Sequence, residues 1–383
     1  MFGKRNIEKE GIKNVFLYCT TSNIYDSFWN IYIYIYIFIR RILNLLMKDK
    51  KIKQQKIISL VLTLLIMIPA LKVWGTWAVV VFHIVIIAWV VELIYFIIKK
   101  FTNNSFIKVT YRSGIIPLLL TAILIVYGYI NIHNIIEKDY TVYTNKNIGS
   151  KAYRVDFISD LHFGTTMDNE TLQKYCDKIS ETNADIVILG GDIVDESTTL
   201  KEMQDAFKIL STIKSNYGIY YVYGNHDKSK YTIDPNYTEE ELEEAIINSG
   251  IKILADDIYE INDELCIIGR KDRSYANETR KSSQELSKEV SDDYYKIIVD
   301  HEPCELKENS ESGYDLMISG HTHYGQIWPI GQLMELFNIN EMEYGYEKKD
   351  NMDIIVSCGI GGWGYPLRTE KHCEYVVIDI VRK

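Results

Sequence analysis

Five of the chain's eight histidines follow short apolar runs in company with aspartate or asparagine. "RVDFIS" runs into Asp160-Leu161-His162, and "DIVILGG" into Asp192, with Asp195 three residues on. "GIYYVYG" runs into Asn225-His226-Asp227, "KIIV" into Asp300-His301, and "DLMISG" into His321-Thr322-His323. Imidazole with carboxylate and amide oxygen suits hard-to-borderline divalent metals such as manganese, iron or zinc. No thiol joins the set, which excludes a structural cysteine-type zinc site.

Apolar runs of four to six residues suit strands buried on both faces, as in an α/β sheet. Ligands of such sheets bind beyond the strands' carboxyl ends. Five strand ends therefore direct Asp, Asn and His to one crevice. The intervening segments 170–182, 200–215 and 238–249 read as helices.

These blocks resemble the calcineurin-like metallophosphoesterase superfamily, whose pattern is D-x-H, G-D-x-x-D, G-N-H-D/E, a lone His, and G-H-x-H. The chain has Asp160-Leu161-His162, Gly191-Asp192-Ile193-Val194-Asp195, Gly224-Asn225-His226-Asp227, His301 and Gly320-His321-Thr322-His323, in that order. The ending, "GHTHYGQIWP" and later "GIGGWGYPLR", resembles a branch of bacterial membrane-associated phosphoesterases that includes lipid-precursor phosphodiesterases. Two positions depart from that branch: Tyr324 replaces the usual Gly and reshapes the pocket rim, and "TEKHCE" replaces the usual Pro-Glu.

The resemblance implies one metal held by Asp160, His162, Asp192 and His323. A second is held by Asp192, Asn225, His301 and His321, so that Asp192 bridges. Manganese is the expected metal, iron and zinc the alternatives. A bridging hydroxide attacks phosphorus, with His226 as general acid and Asp195 orienting it. Arg368, Arg270 and Tyr324 are candidate substrate contacts. Asp227 reads as a strand-to-helix cap, Asp300 as a solvated loop acid, His372 as a surface residue, 239–244 as a solvated helix face, and "GIGGWG" (359–364) as a tight loop lining the site. The six cysteines form no close pair and read as buried single thiols.

Charge divides the chain. Residues 1–136 carry 16 basic and 5 acidic side chains, and residues 137–383 carry 26 and 47. The acidic part repels nucleic acid and has no basic cluster, so no nucleic-acid partner is expected. Apolar stretches at 57–73, 77–98 and 114–136 are long enough to cross a bilayer. Lysines at 48–56 and the basic residues of 99–112 belong on the cytoplasmic side, which puts everything after about Glu137 outside the cytoplasm. His83 and Glu92 lie within the second span, and Glu92 is close enough to its end to snorkel. The "IYIYIYIFI" run (31–39) alternates with period two, a strand pattern, and "MKDKKIKQQKIISLVL" from Met47 reads as a natural start.

The expected organisation is N-terminal transmembrane helices followed by an α/β metallophosphoesterase domain. Residues 1–46 are an extension that a start at Met47 removes. Residues 47–136 are a membrane domain with three spans, 137–152 a linker, and 153–383 a four-layer α/β/β/α sandwich with the di-metal site at strand C-terminal ends. The expected function is that of a multi-pass cell-membrane phosphoesterase. It hydrolyses a phosphodiester, phosphomonoester or pyrophosphate bond, on a lipid-linked or envelope substrate. A broad-specificity phosphodiesterase or nucleotide phosphatase is the alternative, and a non-catalytic metal-bound scaffold a further one.

Overall fold

The computed structural model describes residues 28–47, 51–149, 152–275 and 279–383. The chain divides into two compact units, Met1–Val126 and Tyr127–Lys383.

In the first unit, residues 28–46 form helix α1, followed by α2 (Ile52–Ala70), α3 (Thr76–Ile98), α4 (Ser105–Ser113) and α5 (Ile115–Ile132), whose last six residues belong to the second unit. By length and composition α2, α3 and α5 can cross a membrane. The strand expectation at 31–39 is corrected, because both alternating residue types are large and apolar and the pattern has no polar face to place. A helix satisfies its own backbone groups and stacks Ile35 and Ile39, one turn apart, against Met67, Ala70, Val81 and Val85. Glu92 does not snorkel alone. Arg41 reaches it at 2.7 Å and lies over the Tyr111 ring. Of the expected extension 1–46, residues 1–27 lie outside the described residues, as do Lys48 and Lys50.

The second unit holds β1 (Ile135–Thr144), β2 (Tyr153–Ile158), α6 (Asn169–Ser180), β3 (Ile186–Leu189), α7 (Leu200–Leu210), β4 (Ile219–Tyr221), α8 (Glu239–Asn248), β5 (Lys252–Ile253), β6 (Asp257–Ile261) and β7 (Leu265–Gly269). It continues with α9 (Ser283–Lys288), β8 (Tyr295–Val299), α10 (Leu306–Glu311), β9 (Leu316–Ser319), α11 (Ile330–Phe337), β10 (Gly345–Lys349), β11 (Met352–Val356) and β12 (Cys373–Arg382). The described strands make two six-stranded sheets, ordered β1-β12-β2-β3-β4-β5 and β10-β11-β9-β8-β7-β6. One inner core, with Val155, Phe157, Ile188, Ile297, Ile318 and Ile355, lies between the sheets. Outer cores lie under α6–α8, with Leu172, Met203, Phe207 and Leu242, and under α9 and α10, with Leu286 and Leu306. That is the expected α/β/β/α layering.

The runs that end in ligands are strands buried on both faces, such as β3, β8 and β9. β2, β3 and β4 run parallel in one sheet, and β7, β8, β9 and β11 in the other, so their carboxyl ends share one edge of the sandwich. Helices α7, α8 and α9 open on capping boxes at Thr199, Thr238 and Ser282. The acid run 239–244 starts α8, where the helix dipole favours it.

The expected linker 137–152 is corrected. Residues Ile135–Thr144 form an edge strand parallel to β12, from Ile135 opposite Cys373 to Thr144 opposite Arg382. Its alternation of buried and exposed side chains suits an edge position. The third apolar helix accordingly stops at Ile132 rather than at 136.

Candidate metal centre

Two clusters form where the strand ends meet. Asp160, His162 and His323 make one, and Asp192, His301 and His321 the other, with candidate ligand atoms in each within 4.8 Å of one another. Asp160 and His162 follow β2, Asp192 follows β3, His301 follows β8, and His321 and His323 follow β9. Asn225, after β4, sets its Oδ1 2.8 Å from His321 Nδ1.

The backbone is bent to hold this set. Asp160, His162, Asp192, His321 and His323 all take left-handed conformations, with φ between 44° and 73°. Such positions cost ~1–3 kcal/mol each and persist where surrounding contacts over-determine them. A Cβ on Gly224 would overlap Asp192 Oδ1, and one on Gly320 would overlap Asp160 Oδ2. The Gly-rich loop closes over the same turn, Ile360 N–H donating to Ser159 O and Gly361 N–H to Asp160 O.

The imidazoles are oriented for ligation. His162 Nδ1 lies 3.1 Å from Asp195 Oδ2, and His301 Nδ1 lies 2.8 Å from Gly190 O, which turns both Nε2 atoms into the crevice. His162 Nε2 and His323 Nε2 face each other at 3.1 Å. His301 Nε2 is 3.0 Å from Asp192 Oδ2 yet makes no aligned hydrogen bond and is fully buried. Buried nitrogens that point at one another and at carboxylates fit a divalent cation between them. Burial, with His301 nearby, pushes His321 down to about 3, and burial with His162 holds His323 well below the ordinary value. Both are therefore neutral, as metal ligation requires. Burial pushes Asp192 up, but His301 and His162 outweigh it and keep it ionised. Burial pushes His301 down, but Asp192 holds it well above the ordinary value, so ligation there would release its proton.

His226 sits beside the clusters, its ring 5.4 Å from His162, 4.9 Å from Tyr231 and 5.3 Å from Trp363. Asp195 does not orient it. One Asp195 oxygen holds His162 and the other accepts from Ser197 N and Oγ. Glu196 Oε2 lies 2.9 Å from His226 Nδ1 instead. The Asp195–Thr198 turn, closed by Thr198 Oγ1 accepting Asp195 N–H, sends neighbouring acids to different histidines. Nothing in motif spacing marked Glu196 or Tyr231; Trp363 belongs to the Gly-rich loop expected to line the site.

Residues 153–325 match the family model described as calcineurin-like phosphoesterase. The chain carries a calcineurin-like metallophosphoesterase domain. An uncharacterized metallophosphoesterase of Helicobacter pylori is 27% identical over 252 residues, which is 64% of each chain. A transmembrane protein with metallophosphoesterase domain from Danio rerio is 28% identical over 72% of this chain and 63% of its own. The chain thus spans under two thirds of the length of these relatives. A solved dimetal phosphatase from Danio rerio covers 54% of this chain and 87% of its own, at 11% identity and a TM-score of 0.39.

Other expected contacts of the metallophosphoesterase domain are corrected by burial. Arg368 is fully buried and donates to the carbonyls of His323, Cys358 and Gly361, so it braces a ligand turn and is not open to substrate. Arg270 is buried against Asp300 and Glu305. Asp300, expected in solvent, is fully buried between Arg270 and Arg280, because two guanidiniums compensate its charge. Tyr324 is buried against Tyr344 and is not at the rim; its φ of 47° fits the glycine usual there. Asp227 is no helix cap. It accepts N–H groups from Asp192, Ile193, Val194 and Gly224 and ties the β3 and β4 loops together.

Proposed function

We propose that this chain is a membrane-tethered, di-metal phosphoester hydrolase, with Asp160, His162, Asp192 and His323 around one ion and Asp192, Asn225, His301 and His321 around the other. What supports the reading is the pair of ligand clusters, with Asp192 Oδ2 3.0 Å from His301 Nε2 in its own cluster and 3.8 Å from His162 Nε2 in the other, and a histidine–glutamate pair beside them. Two bound dications supply an acidified water and neutralise phosphoryl oxygens. The chain's residues do the rest. Asp195 holds the His162 ring, Gly190 O holds the His301 ring, and Asp227 fixes the loop that presents Asp192.

His226 is the general acid. With Nδ1 engaged by Glu196, its Nε2 gives a proton to the leaving oxygen. Burial pushes the imidazole down, but the bond to Glu196 and the charge of Asp192 hold it above the ordinary value, which favours the proton-donating form.

Manganese is the proposed metal. The catalytic unit is proposed to lie outside the cytoplasm, as the basic segments before α2 and around α4 argue. Its substrates there are lipid-linked or envelope phosphodiesters, phosphomonoesters or pyrophosphates. The test is the purified full chain assayed against lipid-linked, wall-polymer and nucleotide phosphoesters. Chelation should abolish turnover and manganese restore it, with about two ions bound per chain. Full activity with a single ion defeats the two-metal reading.

A further inference from the structure

Helix α11 is inside out for a domain helix. A surface helix normally buries its apolar stripe and shows its polar side. Here the buried residue is Gly331, while Leu336 and Phe337 are 70% and 67% exposed, Leu333 is exposed, and Ile339 just beyond is 64% exposed. At 3.6 residues per turn, the exposed Leu333, Leu336 and Phe337 centre about 170° from Gly331, facing away from the domain, while Ile330 and Met334 are half-buried.

The helix is fastened on its small side. Gly331 N–H donates to Glu370 Oε2, and Trp328 N–H to Thr369 Oγ1. The segment carrying Thr369 and Glu370 is fastened in turn to the end of α5. Arg368 N–H donates to Gly128 O, and the Asn131 amide donates to the carbonyls of Arg368, Glu370 and Lys371. All these residues lie within the second unit. Arg368 also braces His323. The exposed apolar arc, the last turns of an apolar helix and one metal-ligand turn are therefore parts of one hydrogen-bonded assembly.

We propose that the α11 face, with Leu333, Leu336, Phe337 and Ile339, lies in the membrane–water interface and holds the mouth of the metal crevice against lipid headgroups. An exposed apolar arc bordered along one flank by Gln332 and Glu335 fits a helix lying in the interfacial plane. The acidic domain has no charge attraction for an anionic bilayer, which leaves apolar insertion to make the contact. Continuity with the end of α5, where an apolar helix passes into the domain, favours the bilayer over a second copy of the chain. The functional consequence, preference for phosphoesters embedded in a bilayer, rests on the phosphoesterase reading; the contact itself does not.

The test uses the full chain in phosphatidylcholine/phosphatidylglycerol vesicles. Cys19 is replaced by serine, and an environment-sensitive fluorophore is placed at Leu336→Cys or, as control, at Glu240→Cys. The expected result is a blue-shifted probe at 336, quenched by lipids spin-labelled near the headgroup, and a water-like probe at 240. A water-like probe at 336 overturns the proposal. So does a probe shielded from lipid quenchers and cross-linked to a second chain. Independently, Leu336→Glu with Phe337→Glu should lower turnover of a vesicle-embedded phosphodiester at least tenfold and leave soluble nitrophenyl phosphodiester turnover unchanged. Equal turnover of both substrates by variant and parent overturns the consequence. A parent chain inactive on both, with the probe still inserted, sinks the hydrolase reading and spares the contact.

Discussion

Asp195 and Glu196 are adjacent in sequence and serve different rings, which makes their roles separable. Asp195→Ala removes the partner of His162 Nδ1, and outer partners of this kind are worth ~10–100-fold in metal affinity. Metal titration of the variant should show that loss. Glu196→Gln leaves the ligands intact. It should keep two ions but lower kcat by ~10–100-fold on alkyl leaving groups, with little effect on nitrophenolate esters, which need no proton. Asp195 as the partner of His226 would reverse the two results. Asp192→Asn reaches both clusters and should cost both ions. His226→Ala should keep both ions and lose ~10²–10⁴-fold on poor leaving groups.

Strand β2 carries a cost that its buried position imposes. Asp156 is fully buried opposite Val377 of β12 and accepts from Thr182 Oγ1 at 2.6 Å. Burial pushes its carboxyl up to about 7, with the Thr182 bond and Arg154 opposing. A carboxyl whose folded value is raised stabilises the fold below its unfolded value near 4. That contribution is lost as pH rises through 7, at up to ~1.4 kcal/mol per pH unit. Asp156→Asn removes the titration and keeps an oxygen for Thr182. Denaturant midpoints of variant and parent should nearly coincide at pH 4 and diverge toward pH 8, with the variant the more stable by ~1–3 kcal/mol. A difference independent of pH would mean that Asp156 does not titrate in this window.

For the molecule as a whole, the side of the membrane decides which phosphoesters are within reach. Single cysteines at the exposed positions Asn103 and Glu240, in a chain lacking its native cysteines, report this through a membrane-impermeant maleimide on intact cells. Labelling is expected at 240 and, before lysis, not at 103, because the basic residues around α4 resist translocation. The reverse pattern would put the catalytic unit in the cytoplasm and cytosolic nucleotides within its reach.

Residue type and order were enough to expect the two side-chain clusters that the fold brings together, because parallel strands deliver their ends to one edge. Composition was likewise enough for the three apolar helices. What escaped depends on where neighbouring side chains point after the chain turns. A one-residue difference in direction gives His162 to Asp195 and His226 to Glu196. Burial converted Arg368 and Arg270 from candidate substrate contacts into braces, and turned Asp227 from a cap into the tie between two loops. The period-two run at 31–39 misled because alternation identifies a strand only when its two faces differ in polarity. The edge strand β1 was missed because only pairing with β12, more than 200 residues away, gives it partners. The sequence determines which chemistry is available to this chain; the tertiary structure decides which side chain acts on which, because direction and burial belong to the packed fold.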